Sequence, residues 1–211
     1  MIAFRILLAI AFATSQYVVA SSQDLQKPIA TACSPFSVTI SDIGHTLKPT
    51  RLAIVTTKNR YSRIKEQDLF VTQLAKHLNN NGFFAFVSPH KLSKAKLPMQ
   101  SGVFDERELL DIARDHRADA VLYCDVSRLD NSIPMQLQVS AVIVNVDQAV
   151  SIVSLTGSFN LSSPITTHQY LYSVVQNKDE FHAETFLSSP SKLIEYVSNR
   201  TARRISQCWR G

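Results

Sequence analysis

The side chains of this 211-residue chain that could do chemistry are six histidines, three cysteines and a few acid clusters. Nucleophilic catalysis needs a serine or cysteine, a base within reach and a group that orients the base. His45, His77, His90, His116, His168 and His182 stand singly, and no two are four residues apart, so no helix face offers a pair of metal ligands. No serine sits in a G-x-S-x-G elbow. Five glycines, none clustered, do not build a phosphate-cradling loop. The acids of "DERELLD" (105–111) open a helix, where Asp105 and Glu108 form a D-x-x-E capping box and the helix dipole favours negative charge. His116 falls at the end of that helix and reads as a helix-terminal cation or a partly buried side chain, not a ligand. Asp119 and Asp125 flank a strand and read as its polar edges. The expectation is a non-enzyme with no catalytic, cofactor-binding or metal-binding residue.

The cysteines carry information about compartment. Cys124 lies in "AVLYCDV" among apolar neighbours and reads as a buried free thiol. Cys33 and Cys208 flank the region of regular pattern and are a candidate disulfide. Cys33 also ends "IATAC", a loose match to a bacterial lipobox, which makes it a candidate lipidation site; a lipidated Cys33 would be unavailable for the bridge. Both readings depend on export. Residues 1–20, "MIAFRILLAIAFATSQYVVA", supply it with an early Arg5, an apolar run and small residues at the exit, the pattern of a secretory signal peptide. No later segment reaches the length of a membrane helix.

Charge is mild. The chain holds 22 Lys and Arg against 17 Asp and Glu. Removal of residues 1–20 takes Arg5 away and leaves 21 against 17, a formal +4. The densest basic spot is Arg200, Arg203, Arg204 and Arg210, which reads as a solvated helix face; no aromatic-interleaved basic motif accompanies it, so nucleic acid is not expected as a partner. Apolar residues make up 45%, enough for a sizeable core. Two N-x-[ST] sequons, at Asn160 and Asn199, matter only in a eukaryotic secretory route.

The elements that must position these residues follow from periodicity. Residues 21–50 are polar, carry Pro28, Pro35 and Pro49, and read as an extended arm or tether, with "FSVTI" as a brief strand. "RLAIVTT" (51–57) is a central strand. "KNRYSRIKEQD" is a polar loop leading into a helix that puts Val71, Leu74, Ala75 and Leu78 on one face, and Gly82 is its left-handed stop. "FFAFVSP" is a second buried strand closed by Pro89, and "HKLSKAKLPMQSG" a basic loop. The capped helix carries Leu109, Ile112, Ala113 and His116 on one face. "ADAVLYCDVSRL", "PMQLQVSAVIVNVD" and "VSIVSLTGSFN" are three strands joined by short turns, an antiparallel meander. "SSPITTHQYLYSVVQ" is a helix presenting Leu171, Val174 and Val175, and "NKDEFHAET" is a charged loop. Ser189 and Pro190 give an N-cap and a proline at the first position of a last helix, lined by Ile194, Val197, Thr201, Ile205 and Cys208. The order β-α-β-α-β-β-β predicts an α+β fold, a single mixed β-sheet with helices mainly on one face and a carboxyl-terminal helix. The domain reading is 1–20 leader, 21–50 arm and 51–211 one α+β domain.

Residues 51–160 resemble a family of bacterial envelope domains. It includes the amino-terminal domain of the Tol-system propeller protein, the curli-secretion channel lipoprotein and the lipoprotein activators of penicillin-binding proteins. The shared pattern is "RLAIVTT", a helix ending in "LNNNGFFAFV", a second helix running into "ARDHRADAVLYCDVSRL", and a strand pair around an aspartate turn, "VIVNVDQAVSIVSLTGSF". The family has a glycine where Cys124 or Asp125 stands, and Thr-Gly where this chain has Gln148-Ala149. The resemblance implies a non-enzymatic periplasmic or outer-membrane-associated protein that acts by protein–protein contact in envelope assembly, with no catalytic residues to carry over. The implied partner is another envelope protein, with membrane contact only through a lipidated Cys33, and a homo-oligomer is a further expectation. Tyr61, Tyr170 and Tyr172 are the candidate interface residues, because interfaces favour tyrosine. The rival readings are a secreted hydrolase, which needs a histidine and an acid to converge in a pocket, and a subunit of an envelope ring.

Overall fold

The computed structural model describes residues 34–58, 64–93, 104–175 and 183–209. Six strands form one open sheet: β1 (Phe36–Ile40), β2 (Arg51–Lys58), β3 (Phe84–Ser93), β4 (Ala120–Asp130), β5 (Gln136–Asn145) and β6 (Val150–Asn160). The helices are α1 (Ile64–Asn80), α2 (Glu106–His116), α3 (Pro164–Val175), α4 (Ala183–Leu187) and α5 (Pro190–Gln207). The sheet order is β1-β6-β5-β4-β2-β3. β2 runs parallel to both β3 and β4, and β4, β5, β6 and β1 are antiparallel neighbours. The fold is therefore the expected α+β arrangement with one mixed sheet and a carboxyl-terminal helix.

The pleat sorts side chains onto two faces. One face carries Leu52 and Ile54 of β2, Leu122 and Cys124 of β4, Leu137, Val139 and Ile143 of β5, and Leu155 and Phe159 of β6. Helices α1, α3, α4 and α5 cover it with Phe70, Leu74, Leu78, Tyr170, Phe186, Ile194, Val197 and Ile205. The opposite face carries a smaller cluster, Ala53, Val55, Val121, Tyr123, Val142 and Val144, under Leu109 and Ile112 of α2. Complete burial of each large side chain in these clusters contributes about 1.5–3 kcal/mol, so the wider layer dominates stability.

Local chemistry sets the ends of the elements. Asp105 caps α2 by accepting from Arg107 N at 2.9 Å and Glu108 N at 3.3 Å. Arg117 closes it in the left-handed region. Gly82, at φ 91°, ends α1; its N–H reaches Asn79 O and Phe83 N reaches Leu78 O. Ser189 stands at the N-cap of α5 with Pro190 next, but its hydroxyl makes no capping bond and meets Ser191 Oγ at 3.1 Å instead.

Three expectations are corrected. Pro89 does not close the second strand, because β3 runs on to Ser93. The register jumps from Ile54↔Val87 to Thr56↔Lys91, so the proline sits in a bulge on an edge strand, where its missing N–H interrupts no ladder. Within the arm expected at 21–50 the brief strand "FSVTI" forms as β1, but residues 36–50 do not hang free as a tether: β1 pairs with β6 over its whole length, and the 3-10 turn Ile43–His45 packs behind it. The charged segment before α5 holds a short helix, α4, with Phe186 buried. The leader and residues 21–33 lie outside the described residues.

Candidate interaction surface

Among the described residues, helix α2 covers only part of its side of the sheet. Beyond it, β5, β6 and β1 present hydroxyls and amides. The registers place them in rows: Asp125, Ser140, Thr156 and Ser37 in one, Arg128, Gln138 and Ser158 in the next, with Ser154 and Thr39 on the other flank. Ser37, Thr39, Thr156 and Ser158 are exposed, and Gln138, Ser140 and Ser154 are half-buried. None belongs to either hydrophobic cluster. The alternation along β5 and β6 follows from burial on one side and solvent on the other. The result is a surface dominated by neutral donors and acceptors, with Asp125 buried at its inner end. Its charged rim is Arg128 and Asp130, whose ends approach to 3.9 Å. Ser132 N and Oγ both donate to Asp130 Oδ1, which holds the Asp130 carboxyl below its ordinary range.

The two strand aspartates have different fates. Asp119 accepts from Thr50 N at 2.8 Å, Thr50 Oγ1 at 2.7 Å and Arg51 N at 3.0 Å, and so ties the start of β2 to the start of β4. Asp125 is not at a polar edge. It lies within β4 at 1% exposure, at the inner end of the hydroxyl row.

The candidate contact residues divide. Tyr170 is fully buried; its hydroxyl donates to Phe186 O at 2.9 Å and its ring lies edge-on to Tyr196 at 5.3 Å. It is a core residue, which corrects the interface reading. Helix α3 turns toward the sheet at this position because Tyr170, Leu171 and Val174 fall on one helical side. Tyr172 is half-buried and stacks on His168, with centroids 6.5 Å apart. Tyr61 and Cys33 lie outside the described residues. Cys208 is half-buried at the end of α5, with its thiol directed at Arg204 O at 3.4 Å; burial pushes that thiol up.

One side-chain cluster was invisible in the sequence. His116 Nε2 lies 3.2 Å from Ser88 Oγ, and the His116 ring packs on Phe86 at 4.8 Å. His90 Nε2 lies 3.1 Å from Asp115 Oδ2, and His90 N donates to Ser88 Oγ at 3.2 Å. A hydrolytic triad needs the acid on the same histidine that meets the serine. Here Asp115 orients the other histidine, and Ser88 is 2% exposed. These contacts fasten the β3 bulge to the end of α2. The participants are 25 and 28 positions apart, and no local motif announces them. Among the described residues, no three His, Cys, Asp or Glu side chains are grouped to hold a metal ion. No described helix is long and apolar enough to cross a membrane.

No protein-family model and no curated protein matches the chain. Solved structures give weak likenesses. A PelC dodecamer from Paraburkholderia phytofirmans is 18% identical, with 74% of this chain and 97% of that one covered at a TM-score of 0.43. Lipoprotein GNA1162 from Neisseria meningitidis is 16% identical, with 53% and 81% covered at 0.37. The hypothetical protein CT253 from Chlamydia trachomatis is 13% identical, with 75% and 96% covered at 0.43.

Proposed function

We propose that the protein is an exported, non-enzymatic component of a bacterial cell envelope that works by docking another envelope protein. The observation that carries this reading is the open polar face of β5, β6 and β1. Four helices cover the opposite side of the sheet, while this half carries rows of Ser, Thr and Gln side chains. Such a surface offers a partner hydrogen-bond donors and acceptors of the kind found in the polar rim of an interface. The leader pattern of residues 1–20 and the sequence resemblance of residues 51–160 support the compartment.

The test is site-specific photocrosslinking in the native host, with the photoreactive residue at Thr156 or Ser158 on the open face and at Thr72 on the exposed side of α1 as control. The expected result is one discrete adduct in the envelope fraction from positions 156 and 158, none from 72, and its loss on Gln138→Arg. Absence of the adduct, or equal capture from position 72, overturns the reading. Labelling of Ser88 by an active-site-directed fluorophosphonate, abolished by Ser88→Ala, would instead establish the hydrolase.

A further inference from the structure

The two edges of the sheet are built differently. β3 carries a bulge, Pro89 and the charged Lys91, which pairs with Asp68 at 2.8 Å. Those are devices that keep an edge from pairing with another strand. β1 has none of them: "FSVTI" contains no charge and no proline, and its register with β6 is unbroken.

The direction of its free groups can be read from the ladder. Ser158 N donates to Pro35 O and Ser41 N donates to Ile152 O, both at 3.0–3.1 Å. Bonded pairs alternate in an antiparallel ladder, so Pro35, Ser37, Thr39 and Ser41 face β6. The N–H and C=O of Val38 and Ile40 therefore point away from β6, to the side on which no described strand pairs, with the C=O of Phe36; the Phe36 N–H is taken by Ser34 Oγ at 3.3 Å.

The sequence of β1 is self-complementary about its centre. A two-fold axis at Val38 sets Val38 against Val38 of a second copy, Phe36 against Ile40, and Ser37 against Thr39. Phe36, Val38 and Ile40 all lie on the helix-covered face, where Val38 and Ile40 are only partly covered. Ser37 and Thr39 lie together on the open polar face. Pairing therefore joins apolar to apolar and hydroxyl to hydroxyl, with no charge opposed to its like.

We infer that β1 is a pairing edge whose occupant is β1 of a second copy of this chain, antiparallel and two-fold about Val38, so that two sheets become one continuous twelve-strand sheet. About four backbone hydrogen bonds close the junction. The two open polar faces then lie side by side. This pairing stands whether or not the polar face docks a partner.

The test is sedimentation velocity of the full chain across a concentration series, with two double variants at exposed positions. A concentration-dependent dimer is expected. Ser37→Lys with Thr39→Lys sets lysine opposite lysine twice and raises the dimer Kd by about ten-fold or more. Ser37→Lys with Thr39→Glu sets lysine opposite glutamate twice and returns the Kd to within about three-fold of the parent at low salt. All three chains should unfold at the same temperature within a few degrees, because both side chains point to solvent. A parent that stays monomeric to about 1 mM overturns the inference. So does a dimer that the lysine pair leaves intact, or one that the charge swap does not restore.

Discussion

Trp209 donates its indole N–H to Gly44 O at 2.7 Å, and the same ring lies edge-on to Phe83 at 6.1 Å. The hydrogen bond links the residue just past α5 to the turn behind β1, 165 positions away. Gly44 is buried, so its carbonyl has little water to turn to when the indole is removed. Trp209→Phe keeps an aromatic ring and removes the donor; it should cost about 1–3 kcal/mol in urea unfolding. Trp209→Ala should cost more, because the packing against Phe83 goes too. Equal stability of the Phe variant and the parent would show that the bond contributes nothing.

Gly157 lies opposite Phe36 across the β1–β6 ladder. A Cβ there would stand 2.7 Å from Phe36 Cε1 and 3.1 Å from Phe159 Cε2. The Phe36 ring in turn meets Phe159 edge-on at 5.2 Å. Gly157→Ala therefore pushes β1 off its aromatic seat, and thermal unfolding should show a loss of about 1–3 kcal/mol. Adding Phe36→Leu should recover part of that loss, because the clash is with the ring. Additive costs in this double-mutant cycle would refute the contact as the cause.

Cys124 is 1% exposed within β4, and burial, with Asp125 beside it, pushes its thiol far up. The thiolate is the reactive form, so the folded chain should leave this cysteine unmodified. In a chain with Cys33 and Cys208 replaced by serine, an aromatic disulfide reagent should release no colour in native buffer and one equivalent in denaturant. Rapid native labelling would mean that β4 is open to solvent.

Much of this fold was legible because its strongest signals are local. The stripe Val71, Leu74, Ala75 and Leu78 is buried on α1, Asp105 caps α2, and Leu137, Val139, Ala141 and Ile143 of β5 are buried as their alternation predicts. What sequence reading missed depends on neighbours far away in the chain. Pro89 stops a central strand but not an edge strand, and nothing near residue 89 says that β3 is an edge. Tyr170 looks like a surface tyrosine until Phe186 O supplies a partner for its hydroxyl in the core. "FSVTI" reads as a strand, yet its place beside β6, the last strand, is set by contacts more than a hundred residues apart. The polar face was half visible, since Gln136, Gln138 and Ser140 alternate with core residues; that no described helix packs over them was not.

His77 gives the clearest pH prediction. It lies on α1 against α5, with its Nε2 buried and without a hydrogen-bond partner. Burial lowers its pKa from the ordinary 6.5; Lys76 and Arg203 add to the lowering and Glu195 opposes it. Between the lowered folded value and 6.5 the unfolded chain binds the proton more readily than the folded one. Stability from this group is therefore whole above 6.5, falls as pH drops below it, and levels off once the folded histidine is protonated as well. His77→Gln carries no proton and should flatten that part of the curve. Urea unfolding of parent and variant at about pH 7.5 and about pH 5.5, where few carboxylates titrate, isolates the effect. A parent that loses no more stability than the Gln variant over this interval would show that His77 is protonated as easily in the folded chain as in the unfolded one.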